Sequence, residues 1–342
     1  MICNKKYTML RDTMMKKYIV LIMIIISAMF LASCQNSDRD VYQIVTTLFP
    51  QYDIANAIVE DEMTVKNVLP FGTDPHSFEI TSKDRQYIES SELFIYTSDA
   101  LENWVRDISL SRTLVLNLEL ELDFEHDDHV HEEHDDHVHE EHDDHAHEEH
   151  DEDHDIHFWT DPDTMKDMVY VILAHLIEIK PSSADVFTEN ANHYIETLES
   201  YANDLENFLT LYRNDNLTLY IAGHNAMAEF GEYFGLDIVS LFPDFIPDAE
   251  LSSLELSRFM DALVSNNIRA FFIEPVFDQE PLAAITIQSA LFEQNQTVFY
   301  YELHQFHNIS QEDFENNVTL FDIFENNIHH IKLVIEENYG TR

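Results

Sequence analysis

Between Pro181 and Arg213 the chain runs from Ser182 to Tyr212 without a glycine or a proline, and Val186, Tyr194, Leu198, Tyr201, Leu205 and Phe208 fall near a 3.6-residue period. That run predicts one long helix, placed mid-chain as a spine between an N-terminal and a C-terminal half. On both sides short β-branched stretches alternate with helical ones. Before the spine, Tyr42–Phe49 reads as a strand closed by Pro50, then a helix over 52–59, a strand over 64–69, a helix over 82–90, a strand over 93–97 and a helix over 101–108. Pro162 then opens a helix over 165–179. After the spine come strands over 217–222, 238–241, 270–273 and 297–301, interleaved with helices over 226–234, 252–265, 282–293 and 314–338. Strand–helix alternation implies parallel sheets. The expected fold is therefore α/β: two (β/α) lobes with mostly parallel sheets, joined by a long rigid backbone helix. The boundaries are 41–181 for the N-terminal lobe, 182–213 for the linker helix and 214–342 for the C-terminal lobe.

The first residues read as an address. Lys5, Lys6, Arg11, Lys16 and Lys17 precede an apolar run, Tyr18–Leu31, that is shorter than a spanning helix needs. The run ends in Leu31-Ala32-Ser33-Cys34, which resembles the bacterial lipoprotein box, so residues 1–33 are expected to be a signal peptide, Cys34 the lipidated residue and 34–40 a tether. Cys3 is the other cysteine, and the body can build neither a disulfide framework nor a Cys-based zinc site.

Charge removes whole classes of partner. Lys and Arg number 18 against 66 acids, for a net charge of −48, so the clustered cations that hold a phosphate backbone are missing and no nucleic acid is expected. Five glycines, none arranged as a phosphate-cradling loop, argue against nucleotide chemistry. Much of the acid lies in one tract. Residues 126–149 repeat an octad three times (HDDHVHEE, HDDHVHEE, HDDHAHEE) inside a segment, 123–155, with no Lys or Arg. It carries His126, His129, His131, His134, His137, His139, His142, His145, His147, His150 and His154. With almost nothing apolar to bury, the tract is expected to be a mobile loop, and neutral imidazoles beside carboxylates suit it to accessory capture of divalent metal.

Three other histidines sit at loops or just before helices, where α/β lobes place function: His76 in Thr-Asp-Pro-His-Ser-Phe-Glu, His157 after the tract and His224 in Ala-Gly-His-Asn-Ala-Met. Three in matching contexts on two lobes suggest a metal site between them. His175, His193, His329 and His330 lie on predicted helices and receive structural readings. Asn216, Asn295, Asn308 and Asn317 begin N-x-[ST] sequons, which an exported bacterial address leaves unmodified.

The segments LPFGTDPHSFEITSKD, SDALENWV, DIHFWTDP, GHNAMAEFGEYFGL and FFIEPVFD resemble, in order, motifs of the zinc/manganese solute-binding lipoproteins of bacterial ABC importers, and the similarity spans about residues 41–340. The resemblance implies two lobes clamping one metal ion in the interlobe cleft, with His76, His157 and His224 as the first three ligands. Histidine at the third position marks the zinc branch, and three imidazoles with one oxygen suit zinc better than manganese. Glu302 aligns best with the family's acidic fourth ligand, with His304, His307 or water as alternatives. Asp74, Glu79, Asp161, Glu250 and Glu274 lie near the ligands in motif terms, Glu274 being the favoured partner for a ligand's second ring nitrogen.

The resemblance further implies a monomeric, exported, lipid-anchored protein, on the outer side of the cytoplasmic membrane or in the periplasm. It would bind Zn2+ as cargo for an ABC permease and its ATPase, and would not be an enzyme. A manganese-binding homologue and a metal-buffering adhesin are alternatives. A zinc hydrolase is disfavoured because no HExxH or nucleophile elbow is present.

Overall fold

Ile44–Thr46 (β1), Val65–Asn67 (β2), Leu93–Tyr96 (β3) and Leu114–Asn117 (β4) pair in parallel in the order β2-β1-β3-β4. Thr218–His224 (β5), Asp237–Phe242 (β6), Ala270–Ile273 (β7) and Phe299–Glu302 (β8) form a second parallel sheet in the order β6-β5-β7-β8. The helices are α1 (Phe49–Val59), α2 (Ser82–Ser90), α3 (Leu118–Glu121), α4 (Pro162–Ile179), α5 (Ala184–Leu209), α6 (Ala228–Phe234), α7 (Ser253–Ser265), α8 (Leu282–Glu293), α9 (Gln311–Glu315) and α10 (Leu320–Tyr339). This computed structural model describes residues 41–122, 156–242, 253–275 and 282–342. The expected signal peptide, Cys34 and its tether, the histidine-rich tract over 123–155, and Glu250 lie outside the described residues. The chain divides into Met1–Val41 and Tyr42–Arg342, and both sheets belong to the second unit.

The spine is α5. Single 3₁₀ turns over Pro181–Ser183 and Thr210–Tyr212 abut its ends, so helical backbone fills the interval expected from the sequence. Its buried face is Phe187, Ala191, Tyr194, Ile195, Leu198, Ala202 and Leu205, a stripe at helical spacing. Val186, read from the sequence as part of that stripe, is instead 45% exposed, and its neighbour Phe187 takes the inward position. The stripe packs on α1 and α4 of the first lobe and on α10, which itself lies against β7 and β8. One apolar core therefore runs from Ile44 to Ile335 through both lobes. Truncating a fully buried member such as Leu205 to alanine costs about 2–5 kcal/mol.

Helix starts follow local chemistry. Thr81 with Asp84, and Thr319 with Asp322, form reciprocal capping boxes for α2 and α10. Asp161 caps α4, whose first residue is Pro162. Gly231 is the one residue type that α6 can carry at its contact with β6, since a Cβ there would stand 2.6 Å from Ile238 Cγ1 and 2.7 Å from the Leu236 carbonyl. Gly235, at φ +65°, ends the helix in the left-handed conformation.

Two local expectations are corrected, and β4 adds a strand over residues to which the sequence assigned no element. Residues 101–108 form a 3₁₀ segment over Asn103–Asp107, whose Trp104 and Val105 are buried, and not an α-helix. The expected helix over 314–338 is two helices, because Asn317 at φ +57° breaks the first and Thr319 caps the second. Among the described residues no helix is long and apolar enough to cross a membrane.

Candidate metal centre

His224 is the last residue of β5, where pairing with β6 slips register between Ile221 and His224. Glu274 follows Ile273, the last residue of the adjacent strand β7. Both therefore stand at the carboxyl edge of the second sheet, the edge at which parallel α/β sheets present ligands. The first lobe reaches the same place with loops. His76 sits in a 3₁₀ turn over Pro75–Ser77, held by a hydrogen bond from its own N–H to Asp74 Oδ1 at 2.9 Å. His157 precedes the turn Phe158–Thr160, which its carbonyl closes by accepting from Thr160 N, and its side chain is buried.

One nitrogen from each of His76, His157 and His224 lies within 4.8 Å of the other two, and they are the one such group of His, Cys, Asp and Glu among the described residues. His157 Nε2 and His76 Nε2 stand 3.2 Å apart. Two imidazoles bound tetrahedrally to one zinc at about 2.05 Å would hold their nitrogens about 3.3 Å apart, so this pair already has a ligand spacing. His224 meets both rings, with centroids 5.6 Å from His76 and 5.3 Å from His157.

The electrostatics favour neutral rings. Burial, followed by the neighbouring His157 and His224, lowers the His76 pKa to about 3. Neutral imidazole is the metal-binding form. His224 Nδ1–H donates to Glu274 Oε2 at 3.0 Å, which turns Nε2 toward the other two histidines. Burial works to raise the Glu274 carboxyl, but His224, His307 and His304 outweigh it and hold the pKa below its ordinary value. His307 Nε2 stands 3.5 Å from Glu274 Oε1, and its buried Nδ1 makes no hydrogen bond. Burial lowers the pKa of His307 to about 3 and that of His304 to about 4.

Glu302 does not join this group. β8 runs one residue further than expected, so Glu302 stays in the ladder opposite Ile273 instead of entering the loop. It is exposed, its carbonyl accepts from His330 Nδ1–H at 2.7 Å, and it lines a cleft of about 900 Å³ with His304, Asp313, Asp322 and His330. None of the three clustered histidines lines that cleft; Glu274 does, from the far side of His224. Of the other acids near the ligands in motif terms, Asp74 and Asp161 serve as caps. His175 Nδ1 bonds the Val171 carbonyl within α4.

The family model for the periplasmic zinc-uptake complex component A, ZnuA, matches residues 44–333. The chain belongs to the ZnuA family. It is 26% identical over 333 residues to the high-affinity zinc uptake system protein ZnuA of Bacillus subtilis, covering 93% of this chain and 98% of that one. The manganese-binding lipoprotein MntA of Halalkalibacterium halodurans is 22% identical over 288 residues, 81% of this chain and 87% of MntA. The fold is that of the periplasmic zinc-binding protein TroA from Treponema pallidum, with a TM-score of 0.68 at 17% identity, covering 86% of this chain and 99% of TroA.

Within this ZnuA-family chain, the residues that sequence reasoning missed are those that hold the ligand loops together. Trp159, Gln305 and Asn308 bridge segments far apart in sequence, the longest link spanning 238 positions. Asn308 was legible as a sequon alone, yet its side chain is buried.

Proposed function

We propose that His76, His157 and His224 hold one zinc ion as cargo, and that the chain captures it outside the cell membrane and hands it to an ABC permease and its ATPase. The observation that carries this is the convergence of three imidazole nitrogens from two lobes within 4.8 Å. An all-imidazole set suits zinc, whereas manganese prefers carboxylate-rich shells of higher coordination. Solvent oxygen can close the shell, since Glu302 is not among the clustered residues. The Glu274 carboxylate, bonded to the back of His224, has the place of an orienting group rather than of a base aimed at bound water. That favours binding and release over hydrolysis. Cys34 would anchor a monomer to the membrane, and the histidine-rich tract would serve as accessory metal capture.

Native mass spectrometry of chelator-stripped protein offered equal zinc and manganese tests the reading. One tightly held zinc in the wild type, absent from His76→Ala and His224→Ala, is expected; a preference for manganese, or unchanged loading in both variants, would overturn it. Deleting residues 126–154 should remove the weaker zinc ions and leave the tight one.

A further inference from the structure

The segment Gln305–Ile309 supplies none of the three clustered histidines, yet the strand end that bears His224 and the loops that bear His76 and His157 are all bonded to it. For His224 the bond is direct, from Gln305 Nε2 to the His224 carbonyl at 3.3 Å. For His157 it comes two residues later, where Trp159 Nε1–H donates to the Gln305 carbonyl at 3.1 Å. For His76 it is the preceding loop. Asn308 Nδ2 donates one hydrogen to the Pro70 carbonyl at 2.9 Å and the other to Thr73 at 2.7 Å, and Gly72 N donates to the Ile309 carbonyl at 3.0 Å.

The segment is itself held rigidly. Asn327 of α10 clamps the residue just before it, accepting from His304 N at 2.9 Å and donating to the His304 carbonyl at 2.7 Å. Phe306 is fully buried at φ +66°, a left-handed backbone that a bulky residue adopts only where the surroundings impose it. Gln305, Asn308 and Ile309 are each 1% exposed. Both hydrogens of the Asn308 carboxamide are thus used, and its Oδ1 accepts from Ile309 N at 2.9 Å. An ordinary connecting loop has no need of this; such a loop lies on the surface with its backbone in water.

We propose that Gln305–Ile309, and Asn308 above all, is the positioning element of the three-histidine site, fixing from the C-terminal lobe the two histidine loops of the N-terminal lobe. The inference rests on the three-histidine reading. Its physical content is preorganisation. His76 lies on a Pro/Gly-containing loop that would otherwise have to be ordered by the metal, and ordering at the moment of binding subtracts from affinity. Orienting partners one layer behind a metal's ligands are worth about tenfold to a hundredfold in affinity.

The test uses the full chain, with zinc affinity read by competition against a fluorescent chelator. X-ray absorption at half an equivalent of zinc, so that the tightest site fills first, counts the imidazoles. Asn308→Ala is expected to weaken zinc binding about tenfold to a hundredfold while keeping three imidazoles. Gln305→Ala, which removes the tie to His224 but leaves the backbone acceptor of Trp159, is expected to weaken it about tenfold. Leu291→Ala, a fully buried change in the separate core beneath α8, should lower the melting temperature of the metal-free protein yet leave affinity within about twofold.

Wild-type affinity in both Asn308→Ala and Gln305→Ala would overturn the proposal, and should Asn308→Ala fail to fold, the milder Asn308→Asp, which keeps the acceptor for Ile309 N but loses both hydrogens to the His76 loop, takes its place. A lower count of imidazoles in His307→Ala would make the segment a ligand donor and overturn it as well. Unchanged affinity in His76→Ala and His224→Ala would instead sink the three-histidine reading itself, whatever Asn308 does.

Discussion

The two sheets have the same strand order, β2-β1-β3-β4 and β6-β5-β7-β8, but deliver their histidines differently. The second lobe places His224 on a strand, with Glu274 at the end of the next strand to aim it. The first lobe places His76 and His157 on loops beyond its sheet, where nothing in the strand ladder fixes them. A ligand on a strand inherits its position from the backbone hydrogen bonds of the sheet. One on a loop must be positioned by bonds from elsewhere, and here Asp74 of the same lobe is joined by Asn308 and the Gln305 carbonyl of the opposite one. Identical topologies can thus carry unequal shares of the precision of a site.

The largest expected effect asks whether both lobes are needed. Zinc at about a thousand times Kd should stabilise the wild type by about 4 kcal/mol, and in thermal scans His224→Ala and His76→Ala should each lose most of that increment. If one variant keeps it, a single lobe binds metal and the comparison fails.

The next concerns the junction behind the site. Asp53 on α1 accepts from Tyr194 Oη–H on the spine at 2.8 Å and from the backbone N–H of Leu320 at the start of α10. Burial is the main cause that lifts its pKa to about 6, with nearby Asp322 adding to it. Since the folded chain then binds this proton more tightly than the unfolded one, Asp53 costs stability progressively as pH rises from about 4 through about 6. Asp53→Asn should therefore gain relative to wild type across that window, by at most about 3 kcal/mol, and hold level above it. Denaturant unfolding at several pH values would show this; a relative loss with rising pH would reverse the assignment.

Two smaller changes separate strand-borne from loop-borne ligands. Glu274→Gln keeps an acceptor for His224 but removes its charge, and should weaken zinc about tenfold in a competition titration. No change there would mean that β5 alone aims His224. Trp159→Phe deletes the bond to the Gln305 carbonyl. It should cost about 1 kcal/mol in unfolding of the metal-free protein, and a stability equal to wild type would show the interlobe tie to be dispensable.

How much of this the sequence could show depended on the range of the interaction. The spine, seven of the eight strands and the three histidines were legible because periodicity, turn residues and local motifs carry them. β4 was not, since Thr113–Glu119 passes from strand into α3 with no Gly or Pro between them. The split between α9 and α10 had a signal, the Thr319/Asp322 capping box, which the apolar run over 314–338 outweighed. Glu302 was expected at the site because it aligns best with the family's acidic fourth ligand, and the extra residue of β8 that keeps it in the ladder leaves no mark in the sequence. Asn308 was invisible for a more general reason. A carboxamide bonding two backbone carbonyls more than two hundred positions away selects no residue type at the other end.

The buried carboxamide of Asn308 has a consequence for where this protein can be made. Asn308-Ile309-Ser310 is an acceptor sequence for oligosaccharyl transfer, and that transfer acts on chains before they fold. A sugar on Nδ2 would take one of the two hydrogens owed to Pro70 and Thr73 and could not fit where the side chain is 1% exposed. A secretory pathway that glycosylates this sequon would thus yield a chain barred from closing its own seam.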